Sequence, residues 1–346
     1  MPSAPPATAR EVRLAAVPDG LPVPGDLTVA EVPVPAAAPG HVLVRNRAFQ
    51  VFAGLRTLIG GAARDTPVPG LRPGDPLFGP AVGEVVAGAA PFRPGELVTH
   101  PLGWREYALV PVAACAPVDP VLPDPLAALS SGSAAYGALT RAAPVRAGDV
   151  VLVTGAAGGV GSLAGQIARL LGAARVIGTT GSPAKAGRLV SELGYDAVVT
   201  AGTRTDPGGF AEGLAGAAPD GIDVLLDTVG GHQLAAAVEA ARVGARFALV
   251  GALAGQLAAE GAGAGAPVEL DGFRLVLRGV TLTGYRASLH PGVEEEWAGR
   301  FGGWLRSGQI RFPVTRVTGI GRAPEALAGL VAGQYAGTVV VELPQD

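Results

Sequence analysis

The residues best suited to chemistry lie between positions 150 and 185. A Val-rich stretch ends at Thr154. Gly155-Ala156-Ala157-Gly158-Gly159-Val160-Gly161 follows, then an apolar run from Leu163 to Leu171, then Arg175 to Thr180, then Gly181-Ser182-Pro183-Ala184-Lys185. Strand, glycine turn, helix and second strand, in that order, build a cradle for a dinucleotide. The turn lets backbone N–H groups approach a pyrophosphate, and the helix presents its positive end to it. Ala156 takes the first position of the G-x-G-x-x-G spacing, with Gly158 and Gly161 in the other two. Glycines alone are a weak signal; the strand before them and the helix after them give the pattern its value. An acid about 20 positions on would accept bonds from the ribose hydroxyls of NAD. Here Thr179, Thr180 and Ser182 stand in its place, and Lys185 and Arg188 follow. Lys185 is the only lysine in the chain. An ammonium with no neighbouring acid suits a ribose 2′-phosphate, so the sequence predicts NADPH; the alternative is that Lys185 is a solvated helix residue.

These residues need elements to hold them. From about residue 126 the chain alternates strands with helical stretches. The strands are expected at 150–154, 175–179, 196–200, 222–227, 245–251 and 279–284, and they describe a doubly wound parallel α/β sheet. Before that, short strands broken by Pro and Gly, at 11–14, 41–45, 83–86 and 106–110, suggest a partly open β barrel, and 94–98 reads as a turn leading into a strand. A helix over 293–306 starts with Glu294-Glu295-Glu296 in its first turn, where carboxylates complement the dipole. Strands at 312–318 and 336–343 then return to the barrel. The expected domains are therefore 1–125 with 307–346, and 126–306. The stretch 254–268 is nearly all small residues and reads equally as a flap beside the cofactor or as an exposed loop.

The bulk properties narrow the function. With 346 residues and 49% hydrophobic content the chain can fill two cores, although aromatics make up only 5%. A net charge of −3 without a basic stretch argues against nucleic acid. No apolar run of about 20 residues suggests a membrane span. One cysteine, Cys115, and no signal-peptide pattern favour the cytoplasm. The four histidines, His41, His100, His232 and His290, and the cysteine are not at metal-ligand spacing. They read as surface or packing residues, and no metal is expected.

Several motifs together resemble the zinc-independent medium-chain dehydrogenase/reductases, in the prostaglandin, curcumin and alkenal double-bond reductase branch. They are Gly103-Trp104-Arg105-Glu106-Tyr107, the turn and helix over 155–173, Leu226 to Gly231, Gly251-Ala252-Leu253, and Gly333 to Val341. The resemblance covers nearly the whole chain. It implies a Rossmann domain joined to a GroES-like barrel domain, a homodimer, and NADPH-dependent reduction of an activated carbon–carbon double bond. It places Ala157, Gly158, Gly159 and Val160 at the pyrophosphate, and Lys185, with Thr180 and Ser182 near it, at the 2′-phosphate. Thr228, Gly251, Ala252, Leu253, Leu282, Thr283 and Gly284 would line the ribose and nicotinamide.

The chain also departs from that branch. The tyrosine expected to steady the enolate corresponds to Gln256, a C-terminal Asn to Tyr335, which is counted with the cofactor-binding residues, and a tyrosine near the 2′-phosphate to Ala201. The first-domain Tyr-Met-Arg is reduced to Leu55 and Arg56. Conjugate reduction needs a group to stabilise charge on the carbonyl oxygen. The candidates are Gln256, Tyr136, Tyr285, Arg56 and a cofactor hydroxyl. The leading expectation is an enone or quinone reductase for an apolar small molecule, with room left by Ala53, Gly54, Ala134, Ala135 and Ala254. A non-redox cyclase or isomerase on the same scaffold, and a cofactor-binding protein without catalysis, are the alternatives.

Overall fold

The computed structural model describes residues 5–61, 69–200, 207–258, 263 and 265–344. By contacts the chain divides into one unit of Met1–Leu129, Ala259–Ala264 and Val314–Asp346, and another of Ser130–Ala258 and Gly265–Pro313. Ala201 lies outside the described residues, as do 259–262 and 264 of the glycine-rich stretch.

The first unit opens with β1 (Thr8–Leu14) and β2 (Leu27–Pro33), an antiparallel pair. It continues through β3 (His41–Val51), α1 (Leu55–Ile59), β4 (Ala81–Ala87), β5 (Leu97–His100), β6 (Tyr107–Pro111) and β7 (Ala116–Pro117). β3 is the hub, bonding antiparallel to both β4 and β6. Val42, Val44, Val85, Val98, Ala108 and Val110 close around one another as its core. β5 and β6 alternate buried and less buried positions, the period-2 pattern of a strand, whereas β3 buries Val42, Leu43 and Val44 alike.

The second unit runs α2 (Gly132–Gly137), β8 (Val150–Val153), α3 (Gly161–Leu170), β9 (Arg175–Thr180), α4 (Pro183–Leu193), β10 (Ala197–Thr200), α5 (Pro207–Ala217) and β11 (Ile222–Asp227). It ends with α6 (Gly231–Glu239), β12 (Ala241–Leu249), α7 (Leu253–Gln256), α8 (Gly272–Arg278), β13 (Thr281–Gly284) and α9 (Val293–Arg306). The sheet order is β10-β9-β8-β11-β12-β13, every pair parallel. Counted by sequence this is 3-2-1-4-5-6, the doubly wound order, and it reverses between β8 and β11. Ligands bind such sheets at the strand C-termini beside that reversal. Leu152, Ile177, Phe210, Leu225, Leu234 and Phe247 fill the core on one side.

The chain then re-enters the first unit as β14 (Val314–Thr318), α10 (Ala323–Val331) and β15 (Thr338–Glu342), completing a seven-stranded sheet. Three boundaries fall away from those the sequence suggests. The helical turn Pro125–Leu129 packs on β3 and β4 and stays with the first unit. Residues 307–313 stay with the second, because Gln166 of α3 bonds the backbone of Arg311 in both directions. β12 ends at Leu249, since the N–H groups of Val250 and Gly251 turn to the carbonyl of Asp227.

Candidate active site

The glycine turn joins β8 to α3. Gly155 has φ +61, and a Cβ there would come within 2.5 Å of Thr228 Oγ1, so glycine is needed on two grounds. At Gly161 a Cβ would lie 2.4 Å from the Gly155 carbonyl oxygen and 2.6 Å from Ala156 Cα, so only glycine lets α3 start this close to the turn. Gly158 differs: a Cβ would touch only Gly155 O, at 3.4 Å, and otherwise face open space. The turn uses the N–H of Ala156 on Thr179 O and that of Gly158 on Gly155 O. It does not itself use the N–H groups of Ala157, Gly159 and Val160, which are the donors a pyrophosphate needs.

Two residues the sequence reading passed over set the position of this turn. Tyr195, just after α4, slides its ring under α3, where a Cβ on Gly165 would sit 2.4 Å from it. Its hydroxyl donates to Gly161 O at 2.6 Å, and burial pushes that phenol far above the usual tyrosine range. Gln233 of α6 accepts from Thr179 Oγ1 at 2.7 Å, and the same oxygen accepts from Gly155 N–H at 3.1 Å. Thr179 is therefore buried scaffolding. Thr180 Oγ1 accepts from Ser182 N–H at 3.3 Å.

Ser182 is the N-cap of α4 and Pro183 its first residue, so Lys185 falls in the first turn, which holds no acid. Burial lowers the Lys185 amine below its ordinary range. Arg188 is directed along the helix to Glu192, which raises the arginine's pKa. Of the two cations, Lys185 is the one near the loop after β9.

At the end of β11, Asp227 is 1% exposed. It accepts from Thr154 Oγ1 at 2.5 Å, Val229 N–H at 3.0 Å and Gly230 N–H at 3.0 Å. Burial raises its carboxyl, and these bonds oppose the rise. Thr228 donates its N–H to Thr154 Oγ1 and its hydroxyl to Thr154 O, both at 2.9 Å. Leu253 and Ala254 bond back to Thr228 O and Val229 O, seating α7 over this loop, and Gln256 closes α7, half-buried. Leu282, Thr283 and Gly284 form β13, paired with Phe247, Ala248 and Leu249.

The remaining candidates have the following surroundings. Tyr136, 3% exposed, donates its hydroxyl to Glu296 and packs on Trp297 and Trp304. Tyr285 is 5% exposed, stacks on His290 and drives its hydroxyl against Gly137. Arg56 is wholly buried on α1, and burial lowers its pKa while Asp26 opposes the fall. Tyr335 lies in the first unit, half-buried beside Gly329 of α10. Among the described residues no group of three or more His, Cys, Asp or Glu is placed to hold a metal ion.

Residues 159–300 match the family described as zinc-binding dehydrogenase, and residues 10–118 the one described as N-terminal domain of oxidoreductase. The chain is 31% identical over 328 residues to prostaglandin reductase-3 of Mus musculus, covering 91% of this chain and 84% of that protein. It is 28% identical over 346 residues to the NADPH-dependent curcumin reductase of Escherichia coli (strain K12), covering 96% of each. The crystal structure of CurA in complex with NADPH from Vibrio vulnificus matches with a TM-score of 0.87 at 28% identity, covering 98% of this chain and 100% of that one. With a doubly wound sheet, an open glycine turn and these relatives, the chain belongs to the zinc-independent medium-chain dehydrogenase/reductases, in the prostaglandin and curcumin reductase branch.

Proposed function

We propose that this protein is an NADPH-dependent reductase of activated carbon–carbon double bonds, acting on apolar enones or quinones. The observation that carries the reading is the open space at Gly158 combined with Lys185 after a second strand that ends without an acid. Relatives named curcumin reductase and prostaglandin reductase support the reaction class. Ala157 to Val160 would hold the pyrophosphate, and Ser182 and Lys185 the 2′-phosphate. Thr228 with the 251–253 segment and β13 would line the nicotinamide end.

When bound, NADPH supplies a hydride equivalent to the β-carbon of the substrate. The protein must then steady the carbonyl oxygen as it gains charge. We take Gln256 as the candidate for this role, since it is half-buried and closes α7, which bonds back to Thr228 and Val229. We assign Tyr136 and Tyr285 to packing, since one hydroxyl is committed to Glu296 and the other abuts Gly137. Water then supplies the α-carbon proton.

The test is consumption of NADPH and NADH against a panel of alkenals, cyclic enones and quinones. Turnover with NADPH well above that with NADH is expected. Background rates across the panel, or a preference for NADH, would remove the reading.

The same reading includes a homodimer. Among the described residues β13 is one of the two edges of the parallel sheet, β10 being the other, and α8 before it leaves Phe273, Val276 and Leu277 exposed at 69%, 74% and 60%. A bare sheet edge beside apolar side chains suits a second copy of this chain. No helix among the described residues is long and apolar enough to cross a membrane; with the single free cysteine, a cytoplasmic setting fits.

A further inference from the structure

We infer that Asp227 is a positioning residue for the dinucleotide site, fixing the spacing between the glycine turn and the loop that carries Thr228. The inference rests on the proposed cofactor reading. Asp227 would not touch the cofactor, because its side chain is enclosed and its oxygens are already engaged. Its effect runs through three strand ends. Thr154, the residue before the turn, donates to the carboxylate at 2.5 Å. Val229 and Gly230, at the start of α6, donate to it at 3.0 Å each. The Asp227 carbonyl takes Val250 N–H at 2.8 Å and Gly251 N–H at 3.2 Å, holding the end of β12.

Thr154 extends the link. Its single hydroxyl donates to the carboxylate and accepts Thr228 N–H, while Thr228 Oγ1 lies 2.5 Å from where a Gly155 Cβ would be. The turn and Thr228 are thus packed without slack, and one carboxylate orders both. Among the described residues it makes no ion pair, and its carboxyl is governed by burial and by the hydrogen bonds from Gly230, Thr154 and Val229. All three donors reach Oδ1, and Gly230 N–H is shared with Oδ2 at 3.0 Å, the position where an amide could place its NH2. An amide would turn an N–H against a backbone N–H.

The test compares Asp227→Asn, Thr154→Val and Thr154→Ser by NADPH titration, kcat and melting temperature with and without NADPH. Asp227→Asn and Thr154→Val should each weaken NADPH binding by about tenfold or more, the loss of a hydrogen bond to a buried charge, while kcat at saturating NADPH falls less. Thr154→Ser should recover wild-type affinity. Should Asp227→Asn fail to fold, Thr154→Val with its serine control decides alone. Unchanged NADPH affinity in a folded variant, or a lower melting temperature without any change in affinity, overturns the inference. A wild type that binds no dinucleotide at all rejects the cofactor reading instead.

Discussion

Lys185 and His100 show how single residues acquire different tasks from their surroundings. Lys185 sits half-buried in the first turn of α4, a turn that holds no acid. Lys185→Gln should weaken NADPH by roughly tenfold, the size of one charge-assisted contact at a partly solvated site, and leave NADH unchanged; equal losses for both would mean a merely structural lysine. His100, in the first unit, is 5% exposed. Its Nδ1 accepts Leu102 N–H at 3.1 Å, so Nε2–H donates to Asn46 Oδ1 at 2.8 Å. Burial, aided by Arg105, lowers its pKa from 6.5 to about 4. The unfolded chain therefore binds this proton first, and folding stability falls as pH drops from about 6.5 toward 4. The loss reaches about 3 kcal/mol when the folded imidazole also titrates. His100→Gln lacks that component, so urea unfolding should show the gap between the two proteins narrowing across this range. A constant gap would rule out the neutral, buried imidazole.

At the scale of elements, the turn and α3 act as one piece. Gly161→Ala sets a methyl against backbone at 2.4 Å and 2.6 Å, and neither neighbour is a flexible side chain. The helix must move, costing about 1–3 kcal/mol of stability as for other overpacked sites. Gly158→Ala makes only an ordinary contact at 3.4 Å. Its melting temperature should stay near wild type while NADPH binding is lost, because the methyl would occupy the space a pyrophosphate needs. A Gly158→Ala protein that binds NADPH normally would move the phosphate site away from this turn. The sequence made the strand, turn and helix legible through the glycine spacing and the apolar run. It did not reveal Tyr195 or Gln233, because both meet the turn from distant parts of the chain and neither belongs to a local motif.

For the whole molecule, the open edge at β13 and the apolar face of α8 predict self-association. Phe273→Glu combined with Val276→Glu should convert a dimer to a monomer in sedimentation, with α8 still formed because both positions are exposed. A wild type already monomeric at micromolar concentration would refute the dimer. By itself the sequence determined that a parallel doubly wound sheet follows a Val-rich barrel, where α9 begins and ends, and that the second strand lacks its acid. These depend on local pattern: strand and helix periodicity, turn glycines and the identity of a few residues. Only the tertiary structure decided which polar groups remain available for chemistry. Tyr136 and Tyr285 have the right functional group, yet Glu296 takes the hydroxyl of the first, and that of the second is buried against Gly137 with no hydrogen-bond partner among the described residues. Asp227 looked like part of a strand-end motif and instead joins the ends of β8, β11 and β12. Hydrogen-bond partners are settled by contacts between segments far apart in the chain, and neither spacing nor composition encodes them.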